Sequence, residues 1–183
     1  MMHMILWRRL DLPGHEWSQL RLTAKGPELT GTAVFAHEDQ PCRLSYSIRC
    51  DPAWVTRSAV VRGSVSDIMV DVHVRRDSDG HWTINDNPAP GVLGALDVDL
   101  AFSPSTNTLP IRRLEPHAGR SIGVRAAWLT FPDFTLEPLD QRYTRIDAQH
   151  WRYESHAGAF VRELTVNSEG VVTDYPGLWR REG

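Results

Sequence analysis

The sequence predicts a mainly β fold, built of antiparallel strands with one short helix. Three observations carry this prediction. Apolar and polar residues alternate through most of the chain, turn-forming residues recur about every 8 to 12 positions, and helical periodicity is almost missing.

The first strands are expected at Glu16 to Thr23 and Glu28 to His37, joined across Lys25-Gly26-Pro27. Cys42 to Cys50 follows the Asp39-Gln40-Pro41 turn, with Leu44, Tyr46 and Ile48 on one face. Val55 to Arg62 and Asp67 to Arg76 read as a hairpin around Gly63-Ser64. The run Asp77-Ser-Asp-Gly80 closes a tight turn into His81 to Asn85, because Asp-Gly supplies the positive φ that such turns need. Between Asp86 and Arg120 prolines gather at positions 88, 90, 104, 110 and 116. This stretch holds a short strand, Leu96 to Leu100, and the one helix expected, Thr106 to Leu114, with Asn107 or Thr108 as its cap and Pro110 in its first turn. Strands resume at Ile122 to Phe131, Leu136 to Ile146, Trp151 to Ser155, Ala159 to Asn167 and Val171 to Tyr175.

An offset of 107 aligns Leu29 with Leu136, Tyr46 with Tyr153, Gly63 with Gly170 and Asp67 with Asp174. The match admits two readings. Either two similar β-halves flank the proline-rich middle, with Gly63 and Gly170 in equivalent hairpins, or the coincidence is one that any two β-meanders would give.

A chain of 183 residues fits one domain, residues 1–183, burying about 70% of its extended surface. Twenty Lys plus Arg against 23 Asp plus Glu give a net charge of -3, so nucleic acid is not an expected partner. The N-terminus lacks the apolar core of an export signal, and no window approaches 18 apolar residues. A cytoplasmic protein without a membrane span is expected. Cys42 and Cys50 lie on one expected strand, roughly 26 Å apart at about 3.3 Å per residue, so they read as free thiols. None of the eight histidines has the i, i+2 or i, i+4 spacing to another His or Cys that a zinc site uses, so neither a metal nor a cofactor is expected.

The densest polar information lies in residues 96 to 114. Asp97 and Asp99 are two apart on a strand and project to one face about 7 Å apart. Such a pair can work as acid and base on a sugar or ester, or grip sugar hydroxyls. It can equally anchor Arg112 and Arg113 and so tie the helix to the sheet. Asn107 and Thr108 can meet a polar head group at the helix start, or simply cap it. Seven tryptophans and four tyrosines supply flat apolar platforms. Most must fill the interior, and Trp54, Trp82, Trp128 and Tyr143 are the candidates to meet a ligand. No nucleophile elbow, Walker loop or dinucleotide fingerprint occurs, so no catalytic residue is assigned.

The run Ser103-Pro-Ser-Thr-Asn-Thr-Leu-Pro-Ile-Arg-Arg-Leu114, after Asp97-Val-Asp99 and before Ala127-Trp-Leu-Thr-Phe-Pro132, resembles the bacterial putative glycolipid-binding protein family, formerly a domain of unknown function. Trp7-Arg-Arg-Leu-Asp11, Gly14-His-Glu-Trp17, Asp79-Gly-His-Trp82 and Tyr175-Pro-Gly-Leu-Trp-Arg180 extend the resemblance over essentially the whole chain. The resemblance implies strands curled into a spiral β-roll or open barrel around an apolar interior, likened in shape to lipoprotein and glycolipid carriers. It carries over no ligand-contacting residue.

The leading expectation is therefore a carrier or sensor. A long, largely apolar cavity opening beside Thr106 to Arg113 would hold a lipid or glycolipid tail, with Asp97, Asp99, Asn107, Arg112 and Arg113 at the head group. The alternative is a hydrolase using Asp97 and Asp99, which needs one carboxyl raised in a dry cleft and the other ionised. A third possibility is a homodimer formed through open strand edges.

Overall fold

The computed structural model describes residues 2–114 and 117–183; Pro116 of the proline-rich middle lies outside them. Fifteen strands among the described residues form one curled sheet, not closed into a barrel. In chain order they are β1 (Met2–Arg9), β2 (Gly14–Thr23), β3 (Gly26–His37), β4 (Gln40–Cys50), β5 (Thr56–Val65), β6 (Ile68–Arg76), β7 (Trp82–Ile84), β8 (Asn87–Pro88), β9 (Asp97–Leu100), β10 (Ser121–Leu129), β11 (Leu136–Arg145), β12 (His150–Ser155), β13 (Phe160–Val166), β14 (Val172–Tyr175) and β15 (Trp179–Glu182).

The spatial order runs β8 to β1, then β15 back to β9. Two meanders thus spread from a central seam, where β1 pairs antiparallel with β15. The exception to antiparallel pairing is β9, which runs parallel to β10. Curling brings β5 against the β9 edge. The Thr56 N–H donates to Leu96 O at 2.9 Å, and its Oγ1 accepts from the Val98 N–H at 3.1 Å.

The middle segment fills the inside of the curl. Residues 105–107 form a 3-10 turn that runs into the helix α1 (Thr108–Leu114). Every residue from Phe102 to Ile111 is buried. Phe102 and Leu109 share the core with Trp7, Leu44, Ile48, Leu129 and Leu164, contributed from both meanders. A strand pleat places alternate side chains inward, so each meander offers one apolar face, and the segment between them covers both.

Three local expectations need correction. The turn between β5 and β6 falls at Ser66-Asp67, with Gly63 inside β5 between Leu44 and Val70. Any Cβ at Gly63 would stand 1.8 Å from Arg43 O, so this glycine serves close strand approach. Gly170 occupies the turn before β14, hence the two glycines are not the same element used twice. The helix also starts differently. Asn107 and Thr108 send their side chains across to Tyr143 and Val172 instead of capping. Finally, β1 and β15 are strands that the sequence pattern does not predict. In β1, Met2, Met4 and Leu6 face out while Ile5 and Trp7 face in, so apolar residues on both faces erase the alternation.

Candidate functional site

Residues of the central segment are held by two polar clusters, one from each meander. On the first side, Glu16 of β2 is fully buried, and its Oε1 accepts from Tyr46 Oη (2.7 Å), Ser103 Oγ (2.8 Å) and Ser105 Oγ (2.9 Å). Burial pushes the Glu16 carboxyl up to about 7, against the opposing pull of these hydrogen bonds. Its Oε2 is buried without a hydrogen-bond partner, which suits the neutral acid.

On the second side, Asn107 Nδ2 donates to Tyr143 Oη at 2.9 Å, and Tyr143 Oη donates to Gln141 Oε1 at 3.3 Å. Gln141 Nε2 then donates to Asp99 Oδ2 at 2.6 Å and to Tyr153 Oη at 3.1 Å. Burial raises the Asp99 carboxyl to about 6, with the Gln141 hydrogen bond opposing and the charge of Asp97 reinforcing it.

This second cluster borders a pocket of about 220 Å³. Trp128, Tyr153, Phe160, Tyr175 and Trp179 line it, with Asp99, Ser103, Asn107, Ser155 and His156 as polar groups. The rings meet mainly edge to face: Trp128 with His156 at 5.9 Å, Tyr153 with Phe160 at 6.0 Å and Tyr153 with Tyr175 at 6.1 Å between centroids. Aromatic faces with a few convergent polar atoms form the kind of wall that binds an amphipathic small molecule. A larger open trough of about 860 Å³ lies beside it and shares Ser155. Its walls mix glycines and the small or aliphatic Leu93, Val124 and Ala157 with charges such as the Arg125–Asp140 pair, and among the described residues no aromatic ring lines it.

The structure thus gathers Asp99, Asn107 and Trp128 of the sequence-predicted residues into one pocket. Tyr143 stands directly behind, fully buried. The others are engaged within the fold. Arg113 hydrogen-bonds Asp97, and both are largely buried. Burial raises the Asp97 carboxyl while the Arg113 charge opposes it. Arg112 donates to Glu169 O and stacks on Trp54 with its guanidinium carbon 4.9 Å from the ring centre. Thr108 Oγ1 accepts from the Val172 N–H, and Trp82 is buried with its Nε1 donating to Ala95 O at 3.2 Å. The Asp97–Arg113 contact matches the anchoring alternative, whereas Arg112 is held by Glu169 O and Trp54, and Asp99 pairs with Gln141 instead of an arginine.

Among the described residues, no long apolar cavity lies beside Thr106 to Arg113: at the helix end, Ile111 and Arg112 border a separate opening of about 300 Å³ whose other walls include Arg145, Asn167 and Glu169. Between β1, β2, β3 and the buried Ser105 and Thr108, only about 10 Å³ stays open. The pocket opens instead beside Pro104 and Asn107, at the start of the segment. Sequence reasoning missed Ser155, His156, Phe160, Tyr175 and Trp179 as its walls. The signal was available in Tyr175-Pro-Gly-Leu-Trp179, where a tight turn places two rings on one face at the ends of β14 and β15. Apart from Asp99, no carboxylate lines the pocket among the described residues, so the two-carboxylate arrangement lacks its second member there.

The fold and this pocket define a β-roll plugged by its own middle segment, with one aromatic-walled pocket where the plug enters. A family model described as "Putative glycolipid-binding" matches residues 4–181, and the chain belongs to that family. It is similar to a crystal structure of a DUF1089 family protein from Pseudomonas aeruginosa, at 35% identity and a TM-score of 0.81, over 91% of this chain and 92% of that one. No curated protein matches. Among the described residues, no helix is long and apolar enough to cross a membrane, which leaves β-barrel membrane proteins unaddressed.

Proposed function

We propose that this pocket binds the sugar head group of an amphipathic ligand, and that the protein acts as a binding protein for glycolipid-like molecules. The observation that carries the reading is the convergence of Asp99, Asn107 and Ser155 on a pocket walled by Trp128, Tyr153, Phe160 and Tyr175. Flat rings stack on the C–H face of a sugar, while a carboxylate and an amide take its hydroxyls. The volume of about 220 Å³ corresponds to roughly seven waters at about 30 Å³ each, room for one sugar ring and too little for an acyl chain. The tail of such a ligand therefore stays outside the pocket. The family's description supports the ligand class.

The test is titration with n-octyl glucoside and other single-sugar amphiphiles, below their micelle concentrations, against a detergent of equal chain length without a sugar. Binding is expected for at least one sugar head and to weaken at least tenfold in Trp128→Ala and Asp99→Asn. Equal binding of the sugar-free detergent, or indifference to both substitutions, overturns the reading.

A further inference from the structure

The outer face of β1 and β2, on the opposite side of the sheet from the plug, carries a cluster of large apolar side chains. Met2, Met4 and Leu6 of β1 are 54%, 58% and 45% exposed, and Trp17 of β2, the registered partner of Leu6, is 42% exposed. Val34 of β3 lies one strand further, opposite His15. An indole held in the open at the middle of a sheet, where a polar residue would serve the fold equally well, gives the folded chain nothing.

The charges around this cluster are one-sided. Following the register outward from β1 to β4, the charged residues on this face are Arg8, Arg21, Arg43 and Arg49 against Glu28, a net of +3 on a chain whose whole net charge is -3. On the other side of β1 the same face continues into β15, where Glu182 is the registered partner of Leu6, 3.2 Å from His15 Nε2 and 3.9 Å from Arg8, and Arg180 stands opposite Arg8, so the two β15 charges cancel. Glu28 hydrogen-bonds Arg21 and lies 3.9 Å from Arg49. The positive excess is therefore local and stands toward both ends of the apolar strip, with Arg8 and Arg43 at one end and Arg21 and Arg49 at the other.

We infer that this face docks on the surface of an anionic lipid bilayer, with Trp17, Leu6 and Met4 entering the headgroup boundary and the arginines meeting lipid phosphates. Amphipathic rings settle at that boundary, and guanidinium groups beside it add attraction to negative headgroups. A second copy of the chain fits this face worse, since a two-fold pairing would bring two surfaces of net +3 together. The inference is independent of the pocket, whose walls lie on the inner side of the sheet.

Sedimentation with sucrose-loaded vesicles tests it, comparing pure phosphatidylcholine with an equimolar phosphatidylcholine–phosphatidylglycerol mixture at 0.1 M salt. Partitioning onto the anionic vesicles is expected to be at least tenfold stronger, and to fall at least tenfold in Leu6→Ser/Trp17→Ser and in Arg43→Glu/Arg49→Glu. All four positions are exposed, and an unchanged melting temperature verifies that each double variant folds. Equal partitioning onto both vesicle types, no partitioning, or variants that bind like the parent overturns the inference. So does sedimentation equilibrium that shows a dimer which Leu6→Ser/Trp17→Ser dissociates.

Discussion

The Tyr46 hydroxyl reaches Glu16 Oε1 at 2.7 Å although the two residues sit on strands that do not touch, β4 and β2. The strand between them, β3, places Gly31 directly beside Tyr46 in register, and the phenol ring lies across the space that a side chain there would fill. One glycine thus opens the path by which a tyrosine hydroxyl, two serines of the central plug and a buried acid come together.

Replacing Gly31 by alanine tests that arrangement. A Cβ at this position would stand 2.5 Å from the Tyr46 ring, whose other side is buried in the core, so the ring must move and release Glu16. Overpacking of this kind costs about 1–3 kcal/mol. The expected outcome in urea unfolding is a loss in that range in the parent, and a much smaller loss when Gly31→Ala is made in the Tyr46→Ala background, where the obstructing ring is gone.

Glu16 makes stability depend on pH in an unusual direction. Its carboxyl is raised from 4.5 to about 7 by burial, so the folded protein holds a proton that the unfolded chain releases between those values. Stability from this group is full below about pH 4.5 and is lost as pH rises toward 7. The span of about 2.5 units corresponds to roughly 3 kcal/mol at about 1.4 kcal/mol per unit. Glu16→Gln keeps an acceptor oxygen and cannot ionise. Melting curves from pH 5 to 8 should therefore show the variant gaining on the parent as pH rises.

Much of the strand pattern was legible because a half-buried antiparallel strand writes its inward face into every second residue, as β4 and β6 do. β1 escaped for the opposite reason, having apolar residues on both faces. The short helix could be found from Pro110 and the polar run before it, but its burial could not. Residues such as Asn107 and Thr108 look alike in sequence whether they cap a helix, meet a ligand or bond to a facing strand. Only the curl of the sheet, which brings Tyr143 and Val172 to them, decides the matter. The pocket was half legible: Asp99, Asn107 and Trp128 stood out by residue type, whereas Phe160, Tyr175 and Trp179 needed the seam of β14 and β15 to become neighbours.

The Asp97–Arg113 pair anchors the far end of the plug, and its two members should be coupled. Removing one partner leaves a buried charge alone, at a cost of about 3–5 kcal/mol, while removing both charges costs far less. Arg113→Met is expected to destabilise within that range in guanidinium unfolding. Asp97→Asn/Arg113→Met should recover more than half of the loss, and a strictly additive double variant would show that the two residues act separately.

Asp99 sets the pH response expected of the pocket. Its carboxyl is raised to about 6, so the group is neutral below that value and becomes a full acceptor above it. A ligand hydroxyl donates more strongly to a carboxylate than to a carboxylic acid. Affinity for a single-sugar amphiphile should therefore rise as pH passes from 5 to 7 and level off beyond. The Gln141 amide donates to Asp99 Oδ2, and the Thr106 hydroxyl also bonds this carboxyl, so both hold it in place at the pocket wall. Asp99→Asn removes the titrating group, so its affinity should be low and flat across the same range when measured by calorimetry. A slope that survives in that variant would assign the response to another group.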